Sequence, residues 1–377
     1  MECKGKAYHG LGALSSLKEI LRDEKSEHVF LVTGRNSYVV SGAEKTIEGI
    51  FKDLDIIPKR FTGFSPNPRY DQVKDGLAQF RTIPYDTIIA VGGGSAIDVA
   101  KAVKLHYLER NPDTKIPLVA VPTTIGSGSE ATHFIVYYKD GKKQSLGKPN
   151  ETLPDYVILD PKLTYSLPKE VAAASGMDAL SQALESLWSI HSTEKSDFWA
   201  QVAITKTLKN LKRAVNATGR EMEEARAEMQ IAANYAGMAI NITRTTACHS
   251  IAYPLTSMFG IAHGHACALT LGSMFVYNSE PEKHEINDAR GTDFVIKRMQ
   301  KLKPLFGVGI YDSSQKVREK IEELMVSIGL EVKLSRLGID KSHIQKIVEG
   351  SFSPERMANN PRKLNRASVR QILQNIL

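Results

Sequence analysis

The sequence predicts an α/β dinucleotide-binding domain built on a parallel sheet, followed by an all-helical domain. Three observations lead there. Apolar runs alternate with helical patterns through the first half and stop after Pro168. A triple glycine stands where the clearest of those runs gives way to a helix. The second half is a succession of long helical patterns holding three histidines in one apolar stretch. The expected domains are therefore residues 1–168 and 169–377.

Taken in order, Val29-Phe-Leu-Val-Thr-Gly34 reads as a buried strand, 43–54 as a helix and Lys59-Arg-Phe-Thr-Gly63 as a weaker strand. A helix over 70–80 leads into Tyr85-Asp-Thr-Ile-Ile-Ala-Val-Gly92, and Leu118-Val-Ala-Val-Pro122 supplies another strand. Continuous apolar runs of this kind belong to strands covered on both faces, and ligands on such sheets bind beyond the carboxyl ends of the strands. Helical patterns then follow at 172–190, 197–215, 221–242, 314–327 and 368–377. The stretch 238–253 reads as a helix broken by Pro254, and 260–268 opens a further helix.

Composition narrows the functional classes. With 377 residues, 42% hydrophobic and 24% charged, the chain can bury two separate cores. No apolar run approaches a membrane span, and Met-Glu-Cys-Lys-Gly-Lys at the start lacks a signal-peptide core, so a soluble cytoplasmic protein without a membrane partner is expected. The formal charge of +7 is spread along helices such as 206–213 and offset by the acidic run 221–228. No basic patch interleaved with aromatics appears, which argues against nucleic acid. Cys3, Cys248 and Cys267 form no paired framework and read as free thiols.

The run Gly92-Gly93-Gly94-Ser95-Ala-Ile-Asp98 lies between a strand and a helix. Three glycines leave the backbone open to a phosphate, and the following helix start directs N–H groups and dipole at an anion. It matches neither the Gly-x-Gly-x-x-Gly fingerprint nor the P-loop, so alone it can also be a tight turn. A second loop, Pro122-Thr123-Thr124-Ile-Gly-Ser127-Gly-Ser-Glu130, follows another strand. Two donor-rich loops at adjacent strand ends point to a dinucleotide.

His249, His263 and His265 share one apolar stretch. A buried imidazole needs a partner for each ring nitrogen: either ordinary hydrogen bonds or a divalent cation. Upstream, Asp178 and Gln182 share a helix face among Leu180, Ala183, Leu184 and Leu187. A carboxylate there is either a helix-start residue favoured by the dipole or a third ligand.

Gly92-Gly-Gly-Ser-Ala-Ile-Asp98, Pro122-Thr-Thr-Ile-Gly-Ser-Gly-Ser-Glu130, Gly176-Met-Asp178-Ala-Leu, and His249 with His263-Gly, in this order, resemble the iron-containing (group III) alcohol dehydrogenase family; Asn360-Pro-Arg362 resembles its closing motif. The resemblance spans the whole chain. It implies the dehydroquinate synthase-like fold, an NAD(P)-dependent oxidoreductase, a homodimer, and a divalent ion, Fe2+ or Zn2+ or another, acting as a Lewis acid on an aldehyde. Asp178, His249 and His263 match three family ligands. The fourth is usually histidine; here Gln182 stands in its place and offers only a neutral amide oxygen. Tyr253 replaces a histidine discussed as a proton relay, and His265 is the alternative for that role. Asn67 and Lys143 match positions near the nucleotide.

Cofactor and substrate expectations follow from single residues. NAD selection calls for a carboxylate after the first strand; this chain has Gly34-Arg35, with room and charge for a 2′-phosphate, which favours NADPH over NADH. The stretches 175–189 and 253–265 look most like the branch of the family that reduces phosphonoacetaldehyde to 2-hydroxyethylphosphonate. A phosphonate needs a cation. Arg244 is the leading candidate, as a substrate clamp or as the partner of a buried carboxylate such as Glu185; Lys148, His133, Arg362 and Lys363 are weaker ones. The alternatives are a reductase of short uncharged aldehydes or diols, a lyase or cyclase like dehydroquinate synthase, and a non-catalytic metal-binding or sensory protein.

Overall fold

The computed structural model describes residues 6–281 and 285–377; Cys3 lies outside them. The chain divides into two compact units, Met1–Pro168 and Lys169–Leu377.

The first unit is wound on a six-stranded sheet. Its strands are β1 (Lys6–His9), β2 (Val29–Thr33), β3 (Lys59–Phe61), β4 (Thr87–Gly92), β5 (Leu118–Pro122) and, after a hairpin of β6 (Ile135–Lys139) and β7 (Lys142–Leu146), β8 (Tyr156–Leu159). They pair in the order β1-β8-β5-β4-β2-β3, all parallel. The expected parallel sheet is present, with β1, β8 and the hairpin added. The hairpin carried a local signal: Asp140 and Gly141 both have positive φ, 51° and 71°, as a two-residue turn of this type needs. Its strands are half exposed, so a search for buried apolar runs passes over them.

Alternation along the strands builds two cores. Phe30, Val32, Ile88, Ala90, Leu118 and Ala120 face one side, while Val29, Leu31, Ile89, Val91, Val119 and Val121 face the other. Helices α1 (Leu17–Asp23), α2 (Ser37–Val40), α3 (Ala43–Asp53), α4 (Tyr70–Phe80), α5 (Gly94–Leu108) and α6 (Pro149–Thr152) complete this unit. The sheet places the ends of β4 and β5 side by side, with Gly92 opposite Pro122. The two Gly-rich loops are therefore neighbours.

The second unit holds α7 (Lys169–Trp188), α8 (Glu194–Asn216), α9 (Gly219–Thr243), α10 (Ala247–Phe259), α11 (His263–Ser279), α12 (Thr292–Leu302), α13 (Gln315–Ser327), α14 (Ile344–Gly350), α15 (Pro354–Asn359) and α16 (Arg366–Gln374). No helix of the described residues is long and apolar enough to cross a membrane. One expectation fails: 238–253 is not a single helix ended by Pro254. The chain turns at Arg244, whose φ is 59°, and Pro254 lies inside α10. The turn is held from outside. Asn359 donates its amide to the carbonyl oxygens of Thr243 and Thr245 at 2.8 and 3.0 Å, and Ser189 Oγ donates to its oxygen at 2.9 Å.

Candidate active site

In the first unit the triple glycine is matched to close packing around it. A Cβ on Gly93 would lie 3.0 Å from Thr124, one on Gly94 3.0 Å from Ser127, and one on Gly92, at φ 154°, 2.8 Å from Ala96. The second loop thus rests directly on the first, and Thr123 N–H donates to the Gly92 carbonyl at 3.0 Å. The N–H groups of Gly94 and Ser95 open α5, where a helix has no acceptor of its own for them.

Asp98, expected to meet the cofactor, works inside the protein. It accepts from Ser129 Oγ at 2.6 Å and from Val136 N–H at 3.1 Å. Burial raises its pKa, and Lys101 and Lys143 act against that rise. Lys101 is fully buried, one turn along α5, and donates to the carbonyls of Ser129, Thr132 and Phe134 at 2.6, 2.7 and 3.0 Å. It is the underside of the second loop. Burial lowers its pKa to about 8 against the pull of Asp98 and Glu130.

At the end of β2, a Cβ on Gly34 would lie 2.3 Å from Ser37 Oγ, so a side chain there would have to turn that hydroxyl away. Arg35 is exposed and donates Nε–H to the Thr62 carbonyl at 3.3 Å. Asn67 is also exposed, at φ 55°.

The second unit brings Asp178, His249 and His263 together with a residue read from the sequence only as a thiol, Cys267. One donor atom of each lies within 4.8 Å of the others. Three helices supply them: α7 gives Asp178, α10 gives His249, and α11 gives His263 and Cys267. The crossing of α7 and α11 is very close, since a Cβ on Gly264 would fall 2.0 Å from the Ala174 carbonyl and 2.7 Å from Asp178 Cβ. The His-Gly dipeptide therefore has a mechanical meaning. Only glycine after His263 lets α11 approach Asp178.

His249 is oriented by Glu185, which is fully buried two turns beyond Asp178 on α7. Its Oε2 accepts from His249 Nδ1. Its Oε1 accepts from Thr246 Oγ1 at 2.6 Å and from the N–H groups of Thr246 and Cys248 at 3.1 and 2.9 Å, so the same carboxylate caps the start of α10. Burial works to raise the Glu185 pKa, but the charge and hydrogen bond of His249 hold it below the ordinary value.

With Nδ1–H given to Glu185, His249 turns Nε2 toward Asp178 Oδ1 at 3.3 Å. The space between these two buried atoms takes either a proton on Nε2 or a metal cation. A carboxylate, two imidazoles and a thiol fit a divalent ion. Burial opposes the charged form of His249, yet Cys267, Glu185 and Asp178 hold its pKa well above the usual imidazole value. Gln182, the expected fourth ligand, turns its amide to Asp178, donating Nε2–H to Oδ2 at 3.1 Å.

Other expected roles separate from this cluster. His265 is two residues from His263, hence on another face of α11, and its Nε2 lies 2.7 Å from the Glu331 carbonyl. Burial lowers its pKa. Arg244 forms an exposed ion pair with Glu355 at 2.6 Å and is not the partner of Glu185. Arg362 binds Glu285 at 2.6 Å and the carbonyls of Tyr277 and Glu280, so the Asn-Pro-Arg motif is structural. Lys148 is an exposed partner of Glu151. The guanidinium near the cluster is Arg356 on α15, which donates to the Tyr253 hydroxyl and to Thr245 Oγ1 and whose charge acts on Glu185. No sequence signal distinguishes it from other arginines, because only the fold brings α15 against α10.

Comparison with known proteins bears on both units. The family model "Iron-containing alcohol dehydrogenase" matches residues 5–161, and "Fe-containing alcohol dehydrogenase family, C-terminal" matches 172–377. The chain belongs to the iron-containing alcohol dehydrogenase family. It is an oxidoreductase acting on CH–OH groups, in a family that binds iron and NAD(P). Among similar proteins, the phosphonoacetaldehyde reductase of Streptomyces viridochromogenes is 33% identical over 80% of this chain and 79% of its own. The 1,3-propanediol dehydrogenase of Klebsiella pneumoniae is 29% identical over 97% and 96%. The structure of sulfoacetaldehyde reductase from Bifidobacterium kashiwanohense with NAD+ superposes with a TM-score of 0.84 at 28% identity, covering 100% of this chain and 97% of that one.

Proposed function

We propose that this enzyme reduces phosphonoacetaldehyde to 2-hydroxyethylphosphonate with NADPH. The observation that carries the reading is Arg356: a half-buried guanidinium whose hydrogen-bond partners among the described residues are the neutral hydroxyls of Tyr253 and Thr245. A dianionic substrate supplies a partner at ion-pair distance, where the described residues offer only the longer-range charge of Glu185. The similarity to a phosphonoacetaldehyde reductase supports the same substrate.

A divalent ion held by Asp178, His249 and His263 would supply Lewis-acid polarisation of the aldehyde. The chain's own groups do the rest. Glu185 keeps the proton on His249 Nδ1 and so directs Nε2 inward. Arg356 orients the phosphonate and, through its bond to Tyr253, positions the phenol that gives the product oxygen its proton. The Gly92–Ser95 turn and the 123–127 loop receive the pyrophosphate, with Thr123, Thr124 and Ser127 as hydroxyl donors. Arg35 pairs with the 2′-phosphate, Asn67 lines the nucleotide and Lys143 lies near it. A cytoplasmic homodimer belongs to the same reading, and sedimentation tests its oligomeric part.

The test is NADPH consumption by metal-loaded enzyme with phosphonoacetaldehyde, propanal and lactaldehyde, repeated with Arg356→Ala and Arg244→Ala. Phosphonoacetaldehyde should be preferred, and Arg356→Ala should lower its kcat/KM by about 100-fold while leaving propanal nearly unchanged, as loss of a desolvated charge pair does. Arg244→Ala should do little. Equal rates with propanal would leave a reductase of uncharged aldehydes; substrate conversion without net NADPH consumption would point to lyase chemistry.

A further inference from the structure

We infer that Cys267 is a thiolate ligand of the metal ion and takes the place that Gln182 leaves unfilled. This rests on the metal-dependent reading above and names the donor that completes it. Cys267 follows His263 by four residues, so the two share one face of α11. It is fully buried, with Sγ 3.9 Å from His263 Nε2. A donor atom from each of Asp178, His249, His263 and Cys267 lies within 4.8 Å of the others, against about 3.5 Å between donors around a bound zinc ion, so a small inward movement closes the set. Gln182 braces Asp178 through its amide and acts as a positioning residue.

The chemistry agrees with the geometry. A divalent ion would displace the thiol proton to solvent as the sulfur–metal bond forms. Asp178 and the thiolate then cancel the ion's two charges in a buried place. Four protein donors would still leave such an ion able to act as a Lewis acid, since catalytic zinc can expand to five donors. A site with one thiolate favours Zn2+ or Co2+ over Fe2+, since thiolate is soft and affinity rises along the divalent series. The position four residues after Asp178 holds an amide in place of imidazole while the one four after His263 offers sulfur, which would shift the donor from α7 to α11.

Cobalt reports the ligand directly. Metal-free protein titrated with Co2+ should develop visible d–d bands and a near-ultraviolet sulfur-to-cobalt charge-transfer band together, saturating at one equivalent. Cys267→Ser should keep the visible bands, lose the charge-transfer band and bind zinc more than ~100-fold more weakly, beyond the ~10–100-fold cost of losing a residue that merely supports a ligand. The double variant Cys3→Ser/Cys248→Ser, which leaves Cys267 as the sole thiol, should keep both signals and so decides the question even if Cys267→Ser fails to fold. Visible bands without charge transfer in the double variant would overturn Cys267 while sparing the metal site. No cobalt uptake by the wild type would overturn both.

Discussion

The two candidate sites of this chain are built on opposite principles. In the first unit the site is backbone: glycines, a helix start and a loop laid across it, contiguous in sequence. In the second it is side chains from three helices, with Glu185 and Asp178 linked through His249 and every donor but the half-buried His263 fully enclosed. A backbone site tolerates almost any neighbour that is small. A side-chain site depends on each helix standing where it does. Glycine appears in both, but Gly93 and Gly94 let a loop rest on a turn, whereas Gly264 lets one helix touch another.

The largest expected effect strikes the side-chain site alone. His249→Ala should abolish stoichiometric metal binding, measured by elemental analysis, and lower kcat at least ~1,000-fold, while NADPH binding followed by fluorescence stays intact. Retained metal and activity would mean that the cluster is not the centre. Gly264→Ala comes next: with its Cβ only 2.0 Å from a carbonyl, it should cost about 3 kcal/mol or more in thermal unfolding and release the ion. Gly93→Val tests the backbone site in isolation. It should raise KM for NADPH about 10-fold with metal content unchanged; loss of metal instead would show that the two regions are not separable.

The smallest effect is a pH dependence. Lys101 has its pKa lowered to about 8 in the folded protein, below the ordinary value near 10.5. Between those values the unfolded chain binds more protons than the folded one, so this residue makes stability rise with pH there, by at most about 1.4 kcal/mol per pH unit. Comparing denaturant midpoints of wild type and Lys101→Met at pH 8 and 10 isolates it. An equal slope in both proteins would remove Lys101 as the cause.

The same contrast explains what the sequence could and could not disclose. Strands 29–33, 87–92 and 118–122 were legible because burial on both faces writes an unbroken apolar run. The Gly-rich loops were legible because their residues are consecutive. The half-exposed hairpin was missed although Asp140-Gly141 announces its turn. The corner at Arg244 was misread as helix because its staple, Asn359, is remote in sequence. Cys267 reads only as a thiol in the sequence and Arg356 carries no signal of its own, since their meaning comes from α7, α10, α11 and α15 lying together. His265 and Arg244 drew attention by proximity to His249 in sequence, and the fold sends both elsewhere.

The Asn359 staple also orders events in time. Its two carbonyl acceptors at the α9–α10 corner precede it by 116 and 114 residues. A chain leaving the ribosome exposes Thr243, Thr245 and His249 well before Asn359 is synthesised, and synthesis is slow beside local folding. The corner that presents His249 is therefore finished only when much later residues have emerged. A fragment ending before Asn359 would carry Asp178, His249, His263 and Cys267 without the brace on the corner that leads into the helix of His249.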